Sequence, residues 1–176
     1  MPAEIARGIQ DVKVYVLTGE TPGSAVDFPG VQALEWSVES DSEELRGDNE
    51  VIAVVRSAKT VTGTLRGARM NLAATAALVG GTVATSGVTP DEITSLEESS
   101  AAANRYVQIV GQTPGVDGGA YRVTIYKALV TGGPNESLSE GEWNTPEFEF
   151  SAVALDSSGM VLKREQFETE ELIEAP

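Results

Sequence analysis

Short runs of period-two alternation, separated by glycine, proline and aspartate turns, fill most of this sequence. A chain patterned this way buries its apolar side chains only by laying strands into sheets. Asp11 to Thr18 sets Val12, Val14 and Val16 on one face and Lys13 and Tyr15 on the other. Thr21 to Gly30, with Thr21-Pro22-Gly23 and Pro29-Gly30, reads as turn chemistry. Val31 to Glu39 alternates again, with Gln32, Leu34, Trp36 and Val38 in phase. Ser40 to Asn49 is charged and lies between strand-like neighbours, so it is a long hairpin arm or a surface loop. Glu50 to Ala58 and Thr60 to Met70 read as a strand pair or one bent strand, with Gly63 and Gly67 marking a bulge or bend.

A single stretch departs from this pattern. Asn71 can cap a helix, Leu72, Ala76 and Val79 recur at helical spacing, and Gly80-Gly81 can end it. The alanines predict close approach to a sheet. Thr89 to Glu98 has capping-box spacing, but Ile93 to Leu96 favours strand or extended loop over helix. Further on, Asn104 to Gly111 reads as strand, Thr113 to Gly119 as turn and Ala120 to Val130 as strand, with Tyr121, Val123, Ile125 and Leu129 on one face. Gly132 to Asn144 reads as loop and Thr145 to Leu155 as strand, with Glu147 and Glu149 opposite Phe148 and Phe150. Asp156 to Gly159 is a hairpin turn, Met160 to Thr169 returns, and Glu170 to Pro176 is expected to fray. The fold class expected is mainly β: an antiparallel β-sandwich or barrel with one short flanking α-helix.

Composition excludes several chemistries. The 176 residues include no cysteine and no histidine. Disulfides, zinc held by those ligands, thiolate nucleophiles and imidazole bases are therefore absent from this sequence. The net charge of −15 argues against binding nucleic acid by phosphate neutralisation. Residues 1–50 carry −8, residues 51–130 carry +2 and residues 131–176 carry −9. Three solvated surfaces account for this division, and so do acidic ends docking on the mildly basic middle of another copy. The first ten residues lack the pattern of a signal peptide, and no apolar run is long enough to span a membrane. The lack of cysteine fits a reducing cytosol.

Motifs for chemistry are sparse. There is no P-loop, GxGxxG or EF-hand loop, and turns account for the glycine pairs. Gly47-Asp48-Asn49-Glu50 reads as a solvated turn before it reads as calcium ligands. Glu43-Glu44, Glu97-Glu98 and Glu170-Glu171 are adjacent acids, which point apart on a strand. The serines have no imidazole partner. Trp36, Tyr106, Tyr121, Phe148 and Phe150 read as core, and Arg56, Arg66 and Arg69 as strand-face charges or subunit contacts. The chain is expected to be no enzyme, with no cofactor and no metal.

The order of features carries a resemblance over residues 31–169. The stretch LRGDNEVIAVVRSAKTVTGTLRGARMNLAATAALVGGTV resembles the middle of the major tail tube proteins of long-tailed bacteriophages. There an acidic loop leads into a strand pair and a short Leu/Ala helix ending in Gly-Gly-Thr. The run YVQIVGQTPGVDGGAYRVTIYKALVTGGPNESLSEGEWNTPEFEFSAVALDSSG is similar to that family's closing half. The resemblance implies a virion structural protein, assembled in the host bacterial cytoplasm, whose fold is like that of the type VI secretion tube protein. It divides the chain into an N-terminal arm and first strand (1–30), a tube β-domain (31–169) and an acidic tail (170–176). It implies rings of six copies stacked into a tube, with tape measure, tail terminator and distal tail proteins as partners. Double-stranded DNA would pass through without specific binding.

With about four strands per copy, the lumen sheet closes at a backbone diameter of roughly 48 Å and a bore of roughly 35–40 Å. That bore admits a duplex roughly 20 Å across. Six copies at −15 each give −90 per ring, a wall that repels phosphate. The candidate ring-stacking loop holds Asp41, Glu43, Glu44, Arg46 and Asp48, and the candidate lumen acids are Glu147 and Glu149. The rival expectations are an acidic carbohydrate- or calcium-binding β module and a hydrolase built on two carboxylates with shifted pKa values.

Overall fold

The structure, a computed structural model, describes residues 7–48, 50–100 and 105–173. Its strands are β1 (Asp11–Thr18), β2 (Thr21–Asp27), β3 (Val31–Glu39), β4 (Ser42–Gly47), β5 (Glu50–Arg56) and β6 (Thr60–Gly67), then β7 (Thr82–Ser86) and β8 (Ile93–Glu97) after the helix. The closing four are β9 (Tyr106–Pro114), β10 (Ala120–Asn135), β11 (Glu147–Ala152) and β12 (Leu162–Phe167). The helix, α1, spans Leu72–Val79. One sheet runs β2-β1-β9-β10-β11-β6-β3, with β12 also paired to β10, and β4–β5 and β7–β8 form two separate hairpins. Every pairing is antiparallel. The protein is a mainly antiparallel β fold with one short helix, of sandwich or barrel-like form.

The ends of the sheet meet across a common core. A Cβ on Gly111 of β9 would lie 2.6 Å from Leu34 of β3, and one on Gly67 at the end of β6 would lie 2.9 Å from Phe28, just after β2. Val12, Val14, Leu65, Val107, Ile109, Ile125 and Phe148 fill the space between. Helix α1 closes this core. The Asn71 side chain accepts from the Ala73 and Ala74 amides, and Gly80 N–H donates to Ala76 O at 3.0 Å. Ala74 to Leu78 are all buried, so the helix is enclosed beyond the narrow stripe of Leu72, Ala76 and Val79 expected from spacing.

Several elements differ from the sequence expectation. Thr21 to Asp27 is no turn but an edge strand on β1, where Pro22 is tolerated. Ser40 to Asn49 belongs to a hairpin arm, although Asn49 itself lies outside the described residues. The strand after it, β5, pairs with β4, whereas β6 pairs with β3 and β11, so the expected β5–β6 pair does not form. Gly63 marks no bulge: its ladders are unbroken, and it is glycine because a Cβ would come 2.2 Å from Glu35 O and 2.6 Å from Phe150. Strand β7 was not read from the sequence at all, while β8 takes the extended alternative.

The longest strand accounts for the remaining differences. Thr113 and Pro114 belong to β9, Asn104 lies outside the described residues, and β10 continues to Asn135, through the start of the expected loop. A register shift between Ile125 and Ala128 turns Ala128 into the core and leaves Leu129 half-buried, opposite Ser151. One edge of β10 carries β9. The other carries β12 along Ala120–Ile125 and β11 along Ala128–Asn135, laid end to end. Asp156 to Gly159 is thus an excursion between two segments on the same edge, not a hairpin joining paired strands. The start of the tail does not fray: Ile173 is 4% exposed.

Candidate functional site

The β4–β5 arm is an apolar hairpin that nothing covers. Its described residues from Asp41 to Arg56 are exposed. They include Leu45 at 62%, Ile52 at 67%, Val54 at 58% and Val55 at 66%. Ser57 N–H donates to Asp41 O at 2.9 Å and closes its base. Of the five residues expected to stack rings, Glu44 pairs with Arg46 at 2.9 Å on one face. Glu43 sits opposite Val55. Asp41 lies at the base and Asp48 at the tip, where its φ is 49°. Sequence reasoning picked out the charges and missed the aliphatic residues of β5, although Val-Ile-Ala-Val-Val is plain in the sequence.

The second surface is the outward face of β3, β6 and β11. Cross-strand registers align Ala33–Arg66–Glu147, Glu35–Thr64–Glu149 and Ser37–Thr62–Ser151 in successive rows. Phe148 and Phe150 turn into the core as expected. The two candidate lumen acids differ: Arg66 Nε donates to Glu147 at 2.8 Å, whereas Glu149 is exposed beside Gly132. Glu35 shares the Glu149 row. Its place follows from the alternation of β3, since Leu34 and Trp36 face inward. Glu35, Thr64, Glu149 and Ser151 line a shallow groove of about 530 Å³. A more apolar groove of about 390 Å³ opens between β3 and β9 around Ile9, Leu34, Trp36 and Tyr121.

At the β1–β2 turn, the Glu20 carboxylate accepts from the Asp156 and Ser157 amides, the latter at 3.2 Å. These bonds tie down the excursion between β11 and β12. Lys127 reaches Asp156 at 2.8 Å from the other side. The Ser157 hydroxyl and the two amides hold the Glu20 carboxyl below its ordinary value of 4.5. A lowered folded-state value stabilises above the unfolded value and is lost as pH falls through the folded one. The protection of the Asp156 and Ser157 amides, measured relative to intrinsic exchange at each pH, is therefore expected to be higher at neutral pH than in acid. Glu20→Ala, which removes the acceptor, should show low protection at both. Equal protection in variant and parent would refute the clamp.

Burial raises the Asp11 carboxyl above its ordinary value, with Lys13 opposing and Asp27 beside it adding to the rise. It lines neither groove. Among the described residues, no three acidic side chains group to hold a metal ion, and no helix is long and apolar enough to cross a membrane. No protein-family model and no curated protein matches this chain.

Proposed function

We propose that this chain is a structural subunit that completes itself by packing against identical copies, building a tube of stacked six-membered rings through which DNA is delivered. The tail tube protein of a long-tailed phage is the model for this reading. The observation that carries it is the bare apolar arm. A lone two-stranded hairpin is marginal in water, and an exposed strand of Val51, Ile52, Val54 and Val55 invites further pairing. Such an arm makes physical sense once a neighbour covers it. The open edges of β2 and β3 offer backbone groups to the same neighbours. In this reading the arm stacks rings, the virion tail is where the protein works, and tape measure, terminator and distal tail proteins cap and gauge the tube.

Negative-stain microscopy of concentrated protein should show rings or tubes with a bore of roughly 35–40 Å. A particle that stays single at every concentration, and whose melting temperature rises with calcium or a sugar, would establish the binding-module reading instead.

Glu35 and Glu149 become the lumen acids of this proposal, because Arg66 already neutralises Glu147. Replacing both by glutamine removes two charges per copy, hence twelve from a ring of six. Tubes should still form, and DNA passage should slow several-fold, because the weakened repulsion no longer holds phosphate off the wall. Unchanged passage would place these residues on the outer surface.

A further inference from the structure

Three charged side chains stand together where the edge strand β2 joins the sheet. The β1–β2 register sets Asp27 directly across from Lys13. The period of two sets Asp11 on the same outward face, one step along β1, while Val12 and Val14 turn into the core. Asp11 Oδ2 lies 4.0 Å from Lys13 Nζ, and the two side chains are only 27% and 21% exposed. The Asp27 carboxyl comes within hydrogen-bonding reach of the Asp11 carboxyl. The tail roofs this face. Lys13 Nζ donates to Ile173 O at 2.9 Å, Gln112 Nε2 to Glu171 O at 2.7 Å and Arg122 Nη2 to Glu171 O at 3.1 Å. Tyr15 and Val110 enclose Ile173.

Two carboxyls thus share one ammonium under partial cover. With both ionised, the trio carries one surplus negative charge, and like charges lie diagonally across the strand pair. Uptake of one proton brings the trio to neutral and supplies an O–H through which one carboxyl donates to the other. The surrounding groups do not take over this role. Arg122 stays cationic, held by Gln112 Oε1 at 3.0 Å. Burial holds the Tyr15 hydroxyl above its ordinary value, so it stays neutral. The Glu170 carboxylate accepts from Gln10, and Glu171 meets this face through its main-chain carbonyl. Helix α1, packed on the inward side of both strands, carries no charged residue.

We propose that Asp11, Lys13 and Asp27 form a proton-operated clasp on the edge strand: one proton shared by the two carboxyls locks the end of β2 to β1, and its loss loosens that end. The clasp does not depend on the self-assembly reading. Its sign follows from the chemistry. Burial raises the Asp11 carboxyl above 3.8, with Lys13 opposing and Asp27 adding to the rise. The folded chain therefore takes its proton before the unfolded chain does. Stability is gained as pH falls through the folded value toward 3.8 and is withdrawn above it. The Glu20 clamp at the turn of the same hairpin responds in the opposite sense, because its carboxyl is held low. Acid thus moves the grip on the β1–β2 hairpin from its turn to its open end.

Phe28 N–H donates to Val12 O at 3.0 Å, next to Asp27 and Asp11, and reports the clasp in the full chain. Its exchange protection, taken relative to intrinsic exchange at each pH, should be several-fold higher in mild acid than at neutral pH. The Asp11 carboxyl carbon, followed by NMR, should titrate above 3.8. Asp27→Asn removes the like charge at an exposed position and keeps the shape. In that variant Asp11 should titrate lower, and Phe28 protection should stay at the parent's acid level at both pH values. Glu170→Gln removes the neighbouring carboxylate of the tail and should keep the parent's response. Phe28 protection that is flat or falls toward acid in the parent would overturn the clasp. So would a full response in Asp27→Asn, or its loss in Glu170→Gln.

Discussion

Excising the β4–β5 arm, with Ser40 joined to Ala58 through a short turn, should leave a folded subunit that no longer elongates into tubes. The Asp41–Ser57 hydrogen bonds bring the ends of the arm together, so a short link spans the gap without strain in β3 or β6. No third element covers the arm, so the core of Leu65, Phe148 and Ile109 is untouched and the melting temperature should move little. Association is another matter. Leu45, Val51, Ile52, Val54 and Val55 are all exposed. Fully covering such side chains stabilises by about 1.5–3 kcal/mol each before ordering costs. Even about 4 kcal/mol net per copy is roughly a thousandfold in an association constant. Ile52→Lys with Val55→Lys in the intact arm should stop elongation as well. Full-length tubes from the excised chain would remove the arm from the stacking contact.

Phe148→Ala should cost the largest share of fold stability of any single truncation here. Phe148 is 1% exposed and lies in the row Leu34–Leu65–Phe148. It meets Phe28 edge-to-face, with centroids 6.0 Å apart and planes at 81°. Truncating a buried phenylalanine typically costs about 3–5 kcal/mol, because transfer and cavity terms add. Against a total of roughly 5–15 kcal/mol, that is about a fifth of the stability or more. The melting temperature should fall by roughly 10 °C, read by circular dichroism. The loss also reaches the outward face, since the same strand presents Glu147 and Glu149. A fall of only about 1–2 °C would mean that β11 is not held by its inward row.

How far the sequence could be read depends on how local each cause is. Asp11 to Thr18 and Val31 to Glu39 match β1 and β3 at both ends, because alternation is a property of neighbouring residues. The helix was equally legible, since Asn71 and Gly80 act within one turn. The inward phase of Phe148 and Phe150, and hence the outward phase of Glu147 and Glu149, followed from the same period of two. Pairing is not local. Nothing between Glu50 and Met70 says that β5 turns back on β4 while β6 joins β3 and β11. The β10 register shift moved Leu129 off the core face because one irregularity inverts every residue after it.

The clearest contrast lies at the tail. As a sequence, Glu170 to Ile173 is a short acidic end, and composition predicts that it frays. In the fold, Lys13, Gln112 and Arg122 are separated along the chain by up to about a hundred residues, yet the ladders of β1, β9 and β10 bring them side by side. Residue order by itself determined the alternating strands such as β1 and β3, the helix and its caps, the acidity and the missing cysteine and histidine chemistry, because each depends on composition or on residues a few positions apart. The tertiary structure alone decided which strands pair, that the apolar arm stands bare, that Arg66 neutralises Glu147, and that side chains of β1, β9 and β10 hold the tail. Those depend on contacts across the whole chain, which carry no local signature.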